Sequence, residues 1–153
     1  NGMDFFTVGG GESGHIAVNL EDPRLVYAGS YGGTITEIDV DTRLSNSIRV
    51  YPESQTGQRA ADMRYRFQWN APIRLSPHDG SILYMTSQHV HRTTDAGHSW
   101  EVISPDLTTD DAETQIRSGA PITYEYEGRQ YIVVAVSGGV YSGEYRAYRV
   151  PAN

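Results

Sequence analysis

The chain has 153 residues and a net charge of −7 at neutral pH, with 12 basic and 19 acidic side chains. The basic residues are all arginines and are scattered, so they form no patch that could hold a polyphosphate backbone, and nucleic acid is not an expected partner. The absence of cysteine excludes disulfides, thiolate metal sites and cysteine nucleophiles, and no apolar run approaches the roughly 18 residues of a membrane span.

The composition favours many short strands. The chain contains 16 glycines, seven prolines, 11 tyrosines and only three phenylalanines, which suits strands joined by tight turns better than long helices. The first group of predicted strands is 14–18, 25–30, 33–40 and 47–51. The second strand of this group is almost continuously apolar, as is typical of a strand that is buried on both faces.

Two further groups of strands follow with the same order of features. The second group comprises 71–75, 82–87, 90–93 and 100–103, and the third comprises 120–124, 131–136 and the stretch 140–148. Tyr27, Tyr84 and Tyr131 occupy matching positions in the apolar strands, 57 and then 47 residues apart. This spacing is close to the length of one blade of a β-propeller.

We therefore predict an all-β chain of three four-stranded antiparallel blades, at about 9–52, 66–106 and 118–151, that belong to a β-propeller. A β-sandwich with similar strand spacing is the alternative. Two polar connections, Pro52–Met63 and Leu107–Ser118, interrupt the strands and are predicted to be loops, where binding residues are commonly found.

One short motif is more specific than the other features of the sequence. Residues 93–100 fit the pattern S/T-x-D-x-G-x-S/T-W, with constrained positions at Thr93, Asp95, Gly97, Ser99 and Trp100. In a hairpin turn, Asp95 is expected to accept backbone N–H groups, Gly97 to take a positive φ, and Trp100 to bury its ring under the turn. The motif resembles the Asp-box of sialidase-like and sortilin-like propellers. The resemblance implies an outer turn, away from the ligand face.

Several further stretches share features with one group of proteins. They are Gly9–Val18, Asp22–Pro23, Tyr27–Gly33, Tyr65–Trp69, Ser76–Asp79 and Ser104–Thr108. Together with the turn motif, they make about residues 8 to 111 resemble bacterial BNR-repeat proteins of the sortilin-like propeller group, which are often labelled glycosyl hydrolases. The tail differs, because Gly119–Glu125 and Gly128–Ala135 look like the closing blade of quinoprotein dehydrogenases, which are also propellers.

The densest group of side chains suited to binding lies just before the second group of strands. Guanidinium groups hold carboxylates, and aromatic rings stack on the apolar faces of sugars. The candidate binding residues are therefore Arg64, Tyr65, Arg66 and Trp69. The structural alternative is that Phe67 and Trp69 pack between sheets while Arg66 pairs with an acidic neighbour.

Catalytic and metal-binding residues are less well indicated. A sialidase needs three converging arginines, a tyrosine nucleophile with a glutamate, and an acid/base aspartate, but no spacing singles out such a set. His89 and His91 are expected on one face of a strand, with His78 a hairpin earlier, yet no carboxylate partner is indicated. We therefore expect no metal and no cofactor, and the catalytic residues stay unassigned.

The resemblance implies a secreted protein, extracellular or periplasmic, that is not catalytic and binds a protein, peptide or carbohydrate through the loops of its ring. The first alternative is a glycoside hydrolase of the sialidase-like type, which would be favoured if Arg64, Arg66 or Arg74 converged with a Glu/Tyr pair. The second, implied by the tail alone, is a quinone-dependent dehydrogenase. That family holds its cofactor with calcium at the ring centre, and many members carry a vicinal disulfide, so the missing cysteines weigh against it.

Three predicted blades do not close a ring, since propellers have about four to eight. Because the chain begins at Asn1 rather than Met and has an extra strand-like stretch at 3–8, we expect a piece of a longer chain. Either further blades of the same chain or self-association would then cover the two apolar outer faces.

Overall fold

A computed structural model of the protein describes residues 5–9, 11–12, 14–54, 56–59, 62–108, 122–138 and 141–150. In these residues the chain forms eleven strands in three antiparallel sheets and no α-helix, so the prediction of an all-β chain is confirmed. A short 3-10 turn, Tyr31–Gly33, follows the second strand. None of the described residues forms a helix that is long and apolar enough to cross a membrane.

The first sheet is a four-stranded meander. Its strands are β1 (Ile16–Val18), β2 (Leu25–Gly29), β3 (Ile35–Asp39) and β4 (Ser45–Ser47), each antiparallel to the next. The predicted fourth strand at 47–51 is wrong by several residues, because β4 is a polar strand held by backbone pairing with β3. Ile48, whose apolar side chain suggested a strand, is instead buried in the core.

The second sheet repeats this arrangement. Its strands are β5 (Ile73–Leu75), β6 (Leu83–Thr86), β7 (Val90–Thr93) and β8 (Glu101–Val102). The first hairpins of the two sheets match, since the N–H of Asn19 donates to the carbonyl of Leu25 at 3.1 Å and that of Ser76 to the carbonyl of Ile82 at 2.9 Å. The 57-residue spacing predicted from the tyrosines is thus repeated in the backbone hydrogen bonds.

The third sheet has three described strands rather than the predicted four. They are β9 (Ile122–Tyr126), β10 (Arg129–Gly138) and β11 (Tyr141–Arg149), with β10 in the centre. Tyr131 is paired on both sides, with Tyr124 and Arg149, as Tyr27 and Tyr84 are paired on both sides in their sheets. Several predicted features lie outside the described residues, namely 3–4 of the N-terminal stretch, 109–118 of the second loop, and 118–121, 139–140 and 151 of the third blade.

The three sheets stack through two apolar cores. One core joins the first two sheets and contains Tyr27, Ile35, Ile48, Phe67, Ala71, Ile73, Leu83 and Met85. The other joins the second and third sheets and contains Ile82, Tyr84, Val90, Leu107, Ile132 and Val134. Because successive strand residues point to opposite faces, Leu83 and Met85 enter one core while Tyr84 enters the other. The middle sheet is therefore buried on both faces.

A meander places alternate connections at opposite ends of its strands. In the first two sheets, the connections 30–34, 48–72, 87–89 and 103–108 lie at one end, which we call the loop edge. Hydrogen bonds from Arg66 to Gln88 and to Asp106 join three of these connections into one surface. All four candidate binding residues belong to the connection 48–72 and so lie at the loop edge.

Candidate functional site

Arg66, one of the four candidate binding residues, is held inside the protein. Its Nη2 donates to Oδ2 of Asp106 at 3.0 Å and to Oγ1 of Thr108 at 3.1 Å. Its backbone N–H donates to Oε1 of Gln88 at 2.8 Å. Only 10% of the Arg66 side chain and 18% of the Asp106 side chain are exposed. The expected pairing of Arg66 with an acidic neighbour is therefore confirmed.

Asp106 is kept charged by the same contacts. Burial by itself raises the pKa of this carboxyl, but the hydroxyl and backbone N–H of Thr108 and the charge of Arg66 together hold the pKa below its ordinary value. The ion pair therefore ties the connection before β5 to the residues after β8 at neutral pH.

Arg64 and Tyr65 form a separate group at the loop edge. The guanidinium of Arg64 lies 4.9 Å from the ring centre of Tyr51 and 5.4 Å from that of Tyr65. Tyr65 is half-buried, and its ring lies 6.4 Å from the core ring of Phe67 and 4.6 Å from the buried ring of His91. Arg64 is exposed and remains accessible to a ligand, whereas much of Tyr65 is used in packing.

The arginines weighed for a sialidase-like site have different partners. Arg64 lies against Tyr51, Arg66 binds Asp106, and Nη1 of Arg74 donates to the carbonyl of Ile73 at 3.1 Å. Each guanidinium is thus engaged by its own neighbours, and this arrangement does not favour one common anion site for the three.

Trp69 lies in a different place, beside an open pocket. The alternative in which Phe67 and Trp69 pack between sheets is right for Phe67, which lies in the core between the first two sheets, and wrong for Trp69, which is 56% exposed. Its ring centre is 4.1 Å from that of Tyr31, with 39° between the ring planes. The pocket has a volume of about 580 Å³ and is lined by Ser30, Tyr31, Gly32, Thr34, Arg49, Ser54, Thr56 and Trp69. We call it the aromatic pocket.

The aromatic pocket is shaped by two loop-edge connections. Tyr31 begins the 3-10 turn after β2, and its hydroxyl donates to the carboxylate of Glu12. Arg49 belongs to the connection after β4, where Nη2 donates to the hydroxyl of Thr34 and Nη1 donates to the carbonyl of Glu53 at 3.3 Å. Both side chains are therefore oriented by hydrogen bonds before any ligand binds.

Tyr31 and Arg49 are not among the residues selected from the sequence, although each had a signal. Tyr31 follows a buried strand and precedes two glycines, a sequence that predicts a turn rather than a continued strand. Arg49 alternates with Ile48, which is buried, and therefore points away from the core. Of the four selected residues, only Trp69 lines the aromatic pocket.

A second cavity, also about 580 Å³, lies between the second and third sheets. Two of its polar pairs bridge the sheets. The hydroxyl of Tyr84 donates to Oε1 of Gln130 at 3.2 Å, and Nδ1 of His78 lies 3.3 Å from Oε2 of Glu125. Because these groups are engaged with one another, we assign them a structural role in holding the sheets together.

Of the two histidines near β7, His91 is fully buried, whereas His89 in the preceding connection is half-buried. Nε2 of His91 lies 2.7 Å from the hydroxyl of Ser87. Burial lowers the pKa of His91 to about 3, and the electrostatic contribution of His89 acts in the same direction, so the His91 ring is neutral at pH 7. Among the described residues, no three His, Asp or Glu side chains are grouped as metal ligands.

The turn between β7 and β8 is closed by side-chain hydrogen bonds. Asp95 accepts from the backbone N–H of Ser99 at 2.9 Å, from the Ser99 hydroxyl at 2.6 Å and from the Thr93 hydroxyl at 2.7 Å. The N–H of Gly97 donates to the hydroxyl of Thr93 at 2.9 Å. The predicted positive φ of Gly97 is confirmed at 87°, and Asp95 accepts one backbone N–H plus two hydroxyls.

The same turn is attached to the first sheet. The indole N–H of Trp100 donates to the carbonyl of Ile48 at 2.9 Å, and its half-buried ring packs against the core between the two sheets. A Cβ on Gly97 would lie 2.5 Å from the Cβ of Ile48, so only glycine fits at this contact. The turn therefore touches the residue that directly precedes Arg49.

Removing the Asp95 carboxylate is expected to lower the melting temperature. The three hydrogen bonds, led by that of the Ser99 hydroxyl, lower the pKa of Asp95 to about 2 from 3.8. A lowered folded-state pKa stabilises the fold above pH 3.8, and this contribution is lost as the pH falls towards 2. The difference in melting temperature between the wild type and Asp95→Asn should therefore shrink over that interval in calorimetric scans.

Asp41→Asn is the matched control, because Asp41 is an exposed aspartate in the corresponding turn between β3 and β4. Its melting temperature should stay close to that of the wild type. A difference for Asp95→Asn that stayed constant down to pH 2 would contradict the role of the carboxylate.

Comparison with protein-family models gives no match for the chain, and comparison with curated proteins gives no significant match. The fold and the site themselves define a stack of antiparallel sheets with an aromatic pair, of which Trp69 is exposed and Tyr31 half-buried, and an arginine at its loop edge.

Proposed function

We propose that the chain is a non-catalytic segment of a β-propeller of the BNR/Asp-box repeat type, and that it binds a protein, peptide or glycan through its loop edge. The observation that carries the proposal is the exposed ring of Trp69 beside Tyr31 and Arg49 in an open pocket. The resemblance on which the repeat type rests also implies an extracellular or periplasmic location.

The stacking of the sheets supports the propeller. Blades of a propeller are four-stranded antiparallel meanders that pack face to face around an axis. The first two sheets are such meanders, and the second is covered on both faces, by the first and third sheets. A β-sandwich has two facing sheets, so a third stacked sheet favours the propeller over that alternative.

The turn at 93–100 supports the Asp-box. Each constrained position makes a contact that the motif requires, from the Thr93 and Asp95 hydrogen bonds to the packing of Trp100. All of these contacts are internal to the protein. We therefore assign the motif a structural role and the aromatic pocket the binding role.

The chemistry of the aromatic pocket suits a small polar ligand with a flat apolar face. A volume of about 580 Å³ falls in the range of ligand pockets. Trp69 and Tyr31 offer ring faces for stacking, while Arg49 and the Ser and Thr hydroxyls of the lining offer hydrogen bonds. Sugars and short peptides both combine such groups.

Truncating Trp69 is expected to weaken binding by about tenfold or more, since a buried aromatic contact at a binding site is often worth more than about 1.4 kcal/mol. Glycan and peptide arrays would identify a ligand for the wild type, and calorimetric titration would compare Trp69→Ala with it. Phe5→Ala is the control, because Phe5 is an aromatic residue that is 84% exposed and does not line the pocket. Equal losses in the two variants would remove the pocket from the binding site.

The outer face of the third sheet supports a further part of the proposal. Ile122, Tyr124 and Tyr126 alternate along β9 and are 56%, 42% and 59% exposed. The strand register places Tyr131 and Tyr145 on the same face, opposite to the buried Ile132 and Val134. We propose that this tyrosine-rich face packs against further blades or against another copy of the chain.

The isolated chain is therefore expected to self-associate, and light scattering should give a mass that rises with protein concentration. A double variant, Tyr124→Ser with Tyr126→Ser, should lower that mass because it makes the outer face polar. Leu44→Ser is the control, since Leu44 is 70% exposed near the turn between β3 and β4. A wild-type protein that stayed monomeric at high concentration would contradict this prediction.

A further inference from the structure

The lining of the aromatic pocket carries a single positive charge. Arg49 is the charged side chain in its lining, and none of the described residues that line the pocket is acidic. The chain as a whole has 19 acidic side chains and a net charge of −7, so such a site is unusual for this surface. A ligand that carries one negative charge would complement the pocket.

Arg49 is positioned but not neutralised. Its two described hydrogen bonds go to a hydroxyl, that of Thr34, and to a carbonyl, that of Glu53, and neither acceptor is charged. The carboxylate of Glu53 accepts a hydrogen bond from the backbone N–H of Arg64 at 3.1 Å. Among the described residues Arg49 forms no ion pair, whereas Arg24, Arg66 and Arg92 each have a carboxylate partner.

The rest of the lining favours a sugar as the carrier of that charge. The ring of Trp69 is exposed and offers a flat face, which stacks well on the apolar face of a pyranose. Ser30, Ser54 and Thr56 add hydroxyl groups that can both donate and accept. A simple anion such as phosphate has no apolar face and would leave the Trp69 ring unused.

We infer that the aromatic pocket binds a hexuronic acid residue, with the carboxylate on the guanidinium of Arg49 and the sugar ring stacked on Trp69. This inference rests on the proposed function of the pocket and names its ligand class. The planar guanidinium can hold both oxygens of a carboxylate, which a neutral hexose does not offer.

The test compares two probes that differ only in this carboxylate, methyl β-D-glucuronide and methyl β-D-glucoside, by calorimetric titration of the full chain. The wild type should prefer the glucuronide by about tenfold, as expected for one charge-assisted contact. Arg49→Gln should abolish the preference, because it lowers the affinity for the glucuronide more than the affinity for the glucoside. Raising the salt concentration should weaken binding of the glucuronide only.

Three control variants distinguish the uronic acid assignment from the proposed binding role of the pocket. Arg49→Lys retains the charge but lacks the fork and should keep part of the preference. Arg24→Gln alters an exposed arginine that pairs with Asp22 and should change neither affinity. Trp69→Ala should weaken both probes equally. Melting curves check that each variant is folded.

Equal binding of the two probes by the wild type, or a preference that survives in Arg49→Gln, would overturn the uronic acid assignment. If Trp69→Ala still weakened both probes in that case, the pocket would remain a binding site and the proposed function would stand. Competition by inorganic phosphate as effective as that of the glucuronide would likewise overturn the sugar assignment. If neither probe bound and Trp69→Ala had no effect on any ligand found by array, the proposed function would fail as well.

Discussion

Replacing Arg66 by alanine is expected to lower the free energy of unfolding by about 3 kcal/mol, the lower end of the range for breaking a buried ion pair. The substitution leaves the Asp106 carboxylate, which is 18% exposed, without its charged partner. It also removes a hydrogen bond to Thr108. Urea unfolding monitored by tryptophan fluorescence would measure the change.

Arg64→Ala is the matched control, because Arg64 lies two residues away and is exposed. Its unfolding midpoint should stay close to that of the wild type. The loss in Arg66→Ala should also shrink below pH 3.8, because the Asp106 pKa is lowered in the folded state and protonation removes the pair. Similar midpoints for Arg66→Ala and Arg64→Ala would contradict a structural role for the ion pair.

A second large effect is expected at Gly33, which has a φ of 78° and lies on the core ring of Phe67. A Cβ at this position would lie 2.5 Å from Cγ and Cδ2 of that ring. Gly33→Ala should therefore cost about 2–4 kcal/mol, from the left-handed backbone and from overpacking. Urea midpoints give the difference directly.

Gly57→Ala separates the two contributions. Gly57 has almost the same φ, 77°, but a Cβ there would meet nothing within 4 Å. Gly57→Ala should therefore lower the free energy of unfolding only by the contribution of the left-handed backbone, about 1 kcal/mol. Equal decreases in the free energy of unfolding at Gly33 and Gly57 would mean that the Phe67 ring can move without loss of stability. The turn that contains Tyr31 would then be less rigid than its contacts imply.

Two of the strands that were predicted closely are those in which burial dominates the sequence, and β7 was predicted at its observed bounds, Val90–Thr93. β2 and β6 are runs of apolar residues between turn residues, and their bounds differ from the predicted ones by at most one residue. β4 was misplaced because it is Ser-Asn-Ser, a sequence without strand propensity that is ordered by its partner β3. Pairing of this kind depends on tertiary structure and leaves no local pattern.

The candidate site was predicted in part, for a related reason. Aromatic and arginine residues cluster at 64–69, so the segment could be recognised from the sequence. The position and contacts of each side chain, however, depend on residues that are distant in the chain. The side chain of Arg66 is paired with Asp106, which lies 40 residues later in the chain, and the ring of Trp69 packs beside that of Tyr31 from the first sheet. Neither of these long-range contacts can be derived from composition or periodicity.

The hydrogen bond from Trp100 to the carbonyl of Ile48 connects the turn of the second sheet to the residue beside Arg49. Any ligand that restrains Arg49 would therefore also restrain Ile48 and, through it, the Trp100 turn. Linkage is reciprocal, so a substitution that opens the turn should lower the ligand affinity by the same factor by which the bound ligand favours the closed turn. In that case the contacts of the Thr93–Trp100 turn would influence ligand affinity as well as stability.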